Sequence, residues 1–413
     1  MNIKIDRRNA HNKIDYIFKE LLPAYGMAER PEQIELSHRM QDAMLDNSIG
    51  LFDAGTGIGK TFAYLVAGTA FQQAQADHHP VLISTSSIAL QTAVKNEYLP
   101  LLSTVLIADS MIDRPLQAVI RKGKSHYVCD ERLERRLRQI NLSKKNKQAS
   151  AALLALRECL DVDGIPHLSN YDQKQICVPK VCDCQREDCR YLSFIEDCDT
   201  GQHPFQICNH NLLLADAIHR KLGRRVILPD SCAIIIDEAH KLPEAARQMF
   251  GISLGVEDIQ NLIQSLRREK YLLAAESLEK LFEPLQGKLP SVEECIRLLI
   301  APERGLQVVC SRLHDRVTVP TRRALEKLTS AVTLIVEGNP NMVFYVEADR
   351  LCATILDLTV QLRSTLWSQE RPILLTSGTL AVGDDFRRFK EEAGLLTDHR
   401  VIEAVSFSPC IIE

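Results

Sequence analysis

Two short segments of the sequence carry residues suited to phosphate chemistry. The first is AGTGIGKT at 54–61, which follows the apolar run SIGLF. Its glycines allow a tight turn with inward-facing backbone N–H groups, and a helix beginning near Lys60 would point its N-terminus at the same place. Lys60 would then reach the outer phosphates of a nucleotide, and Thr61 would offer a hydroxyl to Mg²⁺. The pattern predicts a nucleotide-binding loop, with Ala54 where the general motif has glycine.

The second segment is IIIDEAH at 234–240. The apolar run AIII at 233–236 is typical of a central parallel strand, so Asp237 falls at the carboxyl end, where open α/β sheets bind ligands. A carboxylate there would hold the Mg²⁺ shell, and Glu238 would orient and deprotonate the attacking water. The alternative is an acidic pair that caps the next helix. Together the two segments predict hydrolysis of a nucleoside triphosphate.

Cysteines form the third group of reactive residues. The sequence holds 13 of them, and ICVPKVCDCQREDC at 176–189 concentrates several. Clustered thiols in a reducing compartment more often hold a metal than form disulfides. An iron–sulfur cluster, a zinc ion and a decayed site without metal all remain open from spacing alone. Cys198, Cys208 and the scattered cysteines are expected to be structural.

The composition describes a globular chain of two or three compact units. Of its 413 residues, 45% are hydrophobic and 25% are charged. Neither a signal peptide nor a membrane-spanning run is apparent, which predicts a cytoplasmic protein. The formal net charge is −4, so nucleic acid would have to bind local basic surface. Candidate patches lie at 121–124, 131–147 and 219–225, although each is also compatible with an ordinary solvated face.

Several segments, in order along the chain, resemble one helicase family. AGTGIGKT and DEAH resemble motifs I and II of superfamily 2 helicases, and the remaining matches narrow this to the DinG/XPD-like iron–sulfur DNA helicases. RPEQ at 30–33 resembles the adenine-contacting segment, and VLISTSSIALQ at 81–91 is similar to motif Ia. LLTSGTL at 374–380 resembles motif III, with Gly378 where the family more often has alanine. KGKSHYVC at 122–129 and ICNHNLLLAD at 207–216 also match family segments.

The motifs and the resemblance together imply the site residues. The ATP-binding set is Gln33, Ala54, Gly55, Thr56, Gly57, Ile58, Gly59, Lys60 and Thr61. The catalytic set is Lys60, Thr61, Asp237, Glu238 and His240. Thr85, Gln91, Ser377 and Thr379 are expected to contact DNA or to couple it to the ATP site. The metal ligands would be Cys129, Cys177, Cys182 and Cys189, with Cys184 as the alternative to Cys182.

The predicted fold is α/β: a P-loop RecA-like parallel sheet with an inserted cysteine-rich iron–sulfur module and an inserted helical arch domain. Apolar residues at helical spacing in GVEDIQNLIQSLRREK support the helical insertion. The expected segments are a helical lead at 1–29, the first RecA-like domain at 30–120, 206–244 and 351–413, the cluster module at 121–205 and the arch at 245–350. A second RecA-like domain is expected to be absent.

The resemblance implies an ATP-dependent DNA helicase of the DinG type that moves 5′ to 3′ on single strands and unwinds duplex, forked or R-loop DNA. Its cofactors would be ATP, Mg²⁺ and a 4Fe–4S cluster, with Zn²⁺ as the alternative metal. A second interpretation is a truncated or split helicase that binds ATP and single-stranded DNA. Such a chain would need a separate second RecA-like domain, supplied by another chain, for turnover.

Overall fold

The structure is a computed structural model that describes residues 7–55, 57–75, 79–141, 147–179, 182, 187–285, 291–313 and 315–407. Its strands are β1 Ile49–Ala54, β2 Val81–Thr85, β3 Ala118–Ile120, β4 Phe205–Cys208, β5 Ala233–Asp237, β6 Ile252–Gly255, β7 Met342–Glu347, β8 Arg350–Ile355, β9 Ile373–Ser377 and β10 Val401–Phe407. Among the described residues, no helix combines the length and apolarity that crossing a bilayer requires.

The helices surround these strands. They are α1 Arg7–Tyr16, α2 Leu22–Ala24, α3 Pro31–Leu45, α4 Lys60–Gln73, α5 Ile88–Ala93, α6 Leu99–Ala108, α7 Asp130–Asn141, α8 Lys147–Ala155, α9 Asn170–Ile176, α10 Arg190–Asp199, α11 His210–Lys221, α12 Leu242–Phe250, α13 Val256–Arg268, α14 Leu272–Leu281, α15 Val292–Leu313, α16 Val319–Glu337, α17 Thr359–Arg363 and α18 Arg387–Glu392. Single π turns occupy Ile17–Leu21 and Val94–Tyr98, and 3₁₀ turns occupy Lys124–His126, Ala239–Lys241 and Glu283–Leu285.

The larger sheet is parallel in every pairing of the described strands. Its order is β10-β1-β9-β5-β2-β4-β3. Strands β1, β2, β5 and β9 are buried along their whole length, as expected of parallel strands covered on both faces. The predicted α/β class with a parallel sheet is therefore confirmed.

Helix α4 lies at the centre of the main core. Its residues from Phe62 to Phe71 are all buried, because the helix has apolar or small side chains on every face. It packs with α3 and with Phe52, Phe205 and other buried apolar residues of the sheet. This packing fixes the helix whose first residue is Lys60.

The described chain divides into two compact units. The first comprises 1–179, 184–245 and 359–413, and the second comprises 180–183 and 246–358. The second unit is mostly helical, but it also contains an antiparallel sheet of order β6-β8-β7 that the sequence did not predict. Because β8 pairs with β6 and β7, this unit continues beyond the predicted arch boundary at 350.

Candidate active site

The loop between β1 and α4 has the backbone that its glycines suggest. Gly57 and Gly59 have φ values of 93° and 89°, in the left-handed region that favours glycine. Arg30 donates a hydrogen bond to the Gly57 carbonyl, and Gln33 donates one to the Gly59 carbonyl, each at 2.7 Å. Both braces come from the segment RPEQ, so the structure brings that segment against the loop. Thr56, also predicted to bind ATP, lies outside the described residues.

We expect Gly59→Ala to weaken nucleotide binding by roughly fivefold to tenfold, about 1 kcal/mol, because it removes the Gln33 brace. An ideal Cβ at Gly59 would lie 2.1 Å from the Gln33 Nε2 atom. Gly26→Ala is the matched control, since Gly26 has a φ of 82° but its Cβ would meet nothing within 4 Å. Titration of a fluorescent ATP analogue checks the prediction. Equal affinities for the two variants would contradict it.

The DEAH segment continues directly from β5. Asp237 is the last residue of that strand and is 1% exposed. Its carboxylate accepts hydrogen bonds from the Glu238 N–H at 2.9 Å and from the buried Tyr64 hydroxyl at 3.3 Å. Glu238 has a φ of 53°, a left-handed conformation that is strained for a residue with a side chain. This turn leaves the Glu238 side chain partly exposed beside the buried carboxylate.

Burial raises the pKa of Asp237 to about 6, and the charge of Glu238 adds to the rise. The Glu238 N–H, the Lys60 ammonium and the Tyr64 hydroxyl oppose it by stabilising the carboxylate. The opposing effect of Lys60 indicates that its charge lies near Asp237, as the two motifs predict. A bound divalent cation would relieve the same unfavourable burial, so the residues fit Mg²⁺.

The raised pKa predicts a pH effect on the free energy of unfolding. In the folded, metal-free protein, Asp237 has a pKa of about 6, above the ordinary value of 3.8 that it has in the unfolded chain. Proton binding therefore stabilises the folded state fully below pH 3.8, and this stabilisation is lost as the pH rises through about 6. We expect wild type to lose up to about 3 kcal/mol relative to Asp237→Asn between pH 4 and pH 7.5. Denaturant unfolding at several pH values, without and with Mg²⁺, checks this. A difference independent of pH would contradict it.

His240 connects the DEAH segment with motif III. Its Nδ1 atom lies 2.7 Å from the Ser377 hydroxyl and 3.3 Å from a carboxylate oxygen of Glu238. The Ser377 hydroxyl in turn lies 3.5 Å from that of Thr379. Two of the side chains predicted for DNA contact or coupling, Ser377 and Thr379, therefore belong to a continuous polar chain that begins at the predicted base.

Sequence reasoning missed two residues of this site. Asp53, at the end of β1, accepts a hydrogen bond from the Leu380 N–H at 2.7 Å and so joins motif III to the phosphate loop. Tyr64 is the other, through its contact with Asp237. Each is a polar residue in an otherwise apolar stretch, and that signal could have identified both. Gly378 also approaches the loop, and a Cβ there would lie 3.4 Å from the Ala54 carbonyl, so alanine fits.

The predicted DNA-contacting residues of motif Ia are buried. The Thr85 hydroxyl accepts a hydrogen bond from the Ser87 N–H at 3.3 Å. The Gln91 side chain donates to the Thr85 carbonyl at 3.2 Å. Both side chains thus shape the turn after β2, and their direct contact with a strand stays a prediction.

Four of the five candidate metal ligands lie in the part of the chain that the structure describes. Among the described residues, no group of three or more histidine, cysteine or acidic side chains is placed to hold a metal. Cys129 packs with Tyr127 and Val178, whereas Cys177 lies in a separate apolar cluster where burial raises its pKa to about 11. Cys182 is exposed and Cys189 is half-buried, and Cys184 lies outside the described residues.

Comparison with known proteins finds similar sequences that are named YoaA and DinG. YoaA of Haemophilus influenzae, named an ATP-dependent DNA helicase, is 25% identical over 93% of this chain and 64% of its own length. DinG of Photobacterium profundum, with the same description, is 28% identical over 71% of this chain and 44% of its own. DinG of Bacillus subtilis, named a 3′-5′ exonuclease, is 24% identical over 89% of this chain and 39% of its own.

The chain therefore spans less than two thirds of the length of these relatives. No protein-family model matches the sequence. A solved structure titled XPD helicase aligns with a TM-score of 0.48 and 16% identity over 92% of this chain and 63% of that one. By sequence, this chain is similar to the DinG and YoaA proteins over most of its length.

Proposed function

We propose that this chain is the nucleotide-hydrolysing part of an ATP-dependent DNA helicase of the DinG type. One observation carries the proposal. The polar chain from Glu238 through His240 to Ser377 starts beside the buried Asp237 carboxylate and ends in motif III. Such a chain of contacts suits an enzyme in which ATP hydrolysis at one site must change the structure at a second site.

Each side chain has a chemical task in this proposal. Lys60 and the N–H groups at the start of α4 bind the β- and γ-phosphates of ATP. Thr61 and Asp237 would hold Mg²⁺, which would supply neutralisation of the charge on the transferred phosphoryl group. Glu238 orients the attacking water and accepts its proton, while His240 contacts both the Glu238 carboxylate and the Ser377 hydroxyl. Gln33, which braces the loop at Gly59, is the residue proposed to contact the adenine.

The DNA-related part of the proposal rests on the names of two relatives, which describe them as DNA helicases, and on the motif resemblance for direction and DNA structure. We infer that the substrate is single-stranded DNA, that movement is 5′ to 3′, and that forked or R-loop DNA is unwound. Contact with the strand would come from phosphate-binding groups near the turn after β2 and from basic side chains, with weak sequence preference. A separate RecA-like domain would supply the arginine that such sites use for fast turnover.

We further propose that Cys129, Cys177, Cys189 and either Cys182 or Cys184 bind a 4Fe–4S cluster, with Zn²⁺ as the alternative. The support is the number and spacing of thiols, because the described residues alone do not assemble the site. Metal analysis of protein purified without oxygen tests this. Iron and sulfide in a ratio near one would support the cluster, stoichiometric zinc would support the alternative, and neither would refute both.

The deciding experiment is the ATPase rate of this chain with and without single-stranded DNA, beside Lys60→Ala. Turnover that DNA stimulates and Lys60→Ala abolishes would support the motor. Binding of ATP and DNA without turnover would favour the second interpretation, in which another RecA-like domain completes the site. Failure to bind ATP would refute both.

A further inference from the structure

Besides the exposed Asn211, the segment ICNHNLLLAD contains the polar residues Asn209, His210 and Asp216, and two of these three have evident structural tasks. The Asn209 side chain caps α11 by accepting a hydrogen bond from the Leu212 N–H at 2.9 Å. The buried Asp216 carboxylate accepts hydrogen bonds from the Ile227 and Leu228 N–H groups at 2.7 and 2.9 Å. These contacts fold the segment locally, but they do not explain the third polar residue, His210.

His210 is an imidazole buried beneath the active site. It is 2% exposed, and its Nδ1 atom lies 2.8 Å from the Ser84 hydroxyl. Its Nε2 atom is also buried and has no hydrogen-bond partner among the described residues. A buried ring nitrogen without a partner is costly, so its retention calls for an explanation beyond packing.

The sheet register places this ring between two functional turns. Ser84 is paired with Cys208 on one side and with Ile236 on the other, and the next residue, Thr85, is paired with Asp237. Burial lowers the pKa of His210 to about 4, and the neighbouring Glu238 backbone opposes this shift. One end of the imidazole therefore holds the end of β2, and the ring also adjoins the turn that carries the predicted base.

The conformation of the DEAH turn depends on the residues packed around it. Glu238 has the left-handed φ of 53°, and such a conformation costs on the order of 1–3 kcal/mol unless its surroundings hold it. The Glu238 carbonyl also accepts a hydrogen bond from the Lys241 N–H at 3.0 Å. A shift of β2 that moves the His210 ring would therefore change the surroundings of the Glu238 backbone.

We propose that His210 is a positioning residue that links the turn after β2 to the DEAH turn and makes nucleotide binding and single-strand binding interdependent. The proposal rests on the proposed function. In the neutral ring, the Ser84 hydroxyl donates to Nδ1, so the proton is on Nε2, the atom without a partner among the described residues, and the ring lies beside the Glu238 backbone. Coupling of this kind is reciprocal, so DNA changes nucleotide affinity by the same factor by which nucleotide changes DNA affinity.

The test is the dissociation constant of a fluorescent non-hydrolysable ATP analogue, measured with and without saturating oligothymidylate. We expect DNA to change this constant by about fivefold or more in wild type, a typical allosteric coupling. His210→Asn keeps an acceptor for Ser84 but does not reach Glu238, and Ser84→Ala removes the other end. Both variants should bring the ratio of the dissociation constants measured with and without DNA close to one, while each ligand still binds.

Asn209→Ala is the control, because it removes the adjacent helix cap and lowers stability by about 1 kcal/mol without touching the link. It should keep the wild-type ratio. If His210→Asn does not fold, the Ser84→Ala ratio decides. A ratio near one in wild type, or an unchanged ratio in both variants, would overturn the link even though ATP and DNA bind. Failure of wild type to bind either ligand would instead refute the proposed function, and the link with it.

Discussion

Glu238→Gln is expected to lower ATP turnover by about 10²- to 10⁴-fold while the affinity for ATP stays within a factor of two or so. The amide keeps the size of the side chain and can still accept a hydrogen bond, but it cannot take the proton of the attacking water. The structure leaves the Glu238 carboxylate partly exposed beside the buried Asp237, where a water molecule can reach it. Single-turnover hydrolysis and equilibrium nucleotide binding measure the two effects separately.

Glu244→Gln is the matched control for this prediction. It makes the same chemical change on α12, at an exposed position beyond the DEAH turn. We expect its turnover to match wild type. If both variants lost turnover equally, a general change in charge, not the loss of a base, would be responsible.

Trp367→Ala is expected to lower the free energy of unfolding of the first unit by about 3–5 kcal/mol. Trp367 is 2% exposed, and its indole N–H donates a hydrogen bond to the Ala393 carbonyl at 2.8 Å. Its backbone carbonyl also accepts a hydrogen bond from the Arg400 guanidinium. Truncation removes a large apolar volume and leaves the Ala393 carbonyl without this donor. Denaturant unfolding followed by circular dichroism measures the loss.

Trp367→Phe separates these two contributions. It keeps most of the ring and loses the indole donor, so its cost should be only about 1–3 kcal/mol. Similar costs for the two variants would show that the hydrogen bond dominates. Because Trp367 is the one tryptophan in the sequence, wild-type unfolding can also be followed by its fluorescence.

The catalytic strands of the sheet were predictable from sequence because parallel strands buried on both faces leave plain apolar runs. The apolar runs SIGLF at 48–52, AIII at 233–236 and PILLTS at 372–377 correspond to β1, β5 and β9. The glycine-rich loop and the DEAH segment follow two of these runs directly, so the positions of Lys60 and Asp237 at the carboxyl edge of the sheet also followed. Local pattern was sufficient wherever the strand and its functional residue are neighbours in sequence.

The antiparallel sheet of the second unit was not predictable in this way. Its β7–β8 turn consists of Ala348 and Asp349, with φ values of 47° and 56°. Hairpin turns of this kind are normally recognised by Asn-Gly or Asp-Gly, which adopt positive φ readily. Without that signal, and among long amphipathic helices, the two strands were assigned to the helical arch and to the segment after it.

Contacts between segments that are distant in sequence could not be predicted either. The link between His240 and Ser377 joins residues 137 positions apart, and that between Asp53 and Leu380 joins residues 327 apart. No local pattern reports which strand lies beside which. Motif order suggested that these segments cooperate, but their hydrogen bonds depend on β9 lying between β1 and β5.

This placement of β9 makes the catalytic geometry independent of whatever the chain inserts elsewhere. Neighbouring strands are about 4.8 Å apart, so β1 and β5 are held roughly 9.6 Å from each other by two ladders of backbone hydrogen bonds. In the sequence, the cysteine-rich segment lies between β3 and β4, and most of the second compact unit lies between β5 and β9. Either insertion could therefore be exchanged, shortened or redesigned in a chimera without changing the spacing between β1 and β5.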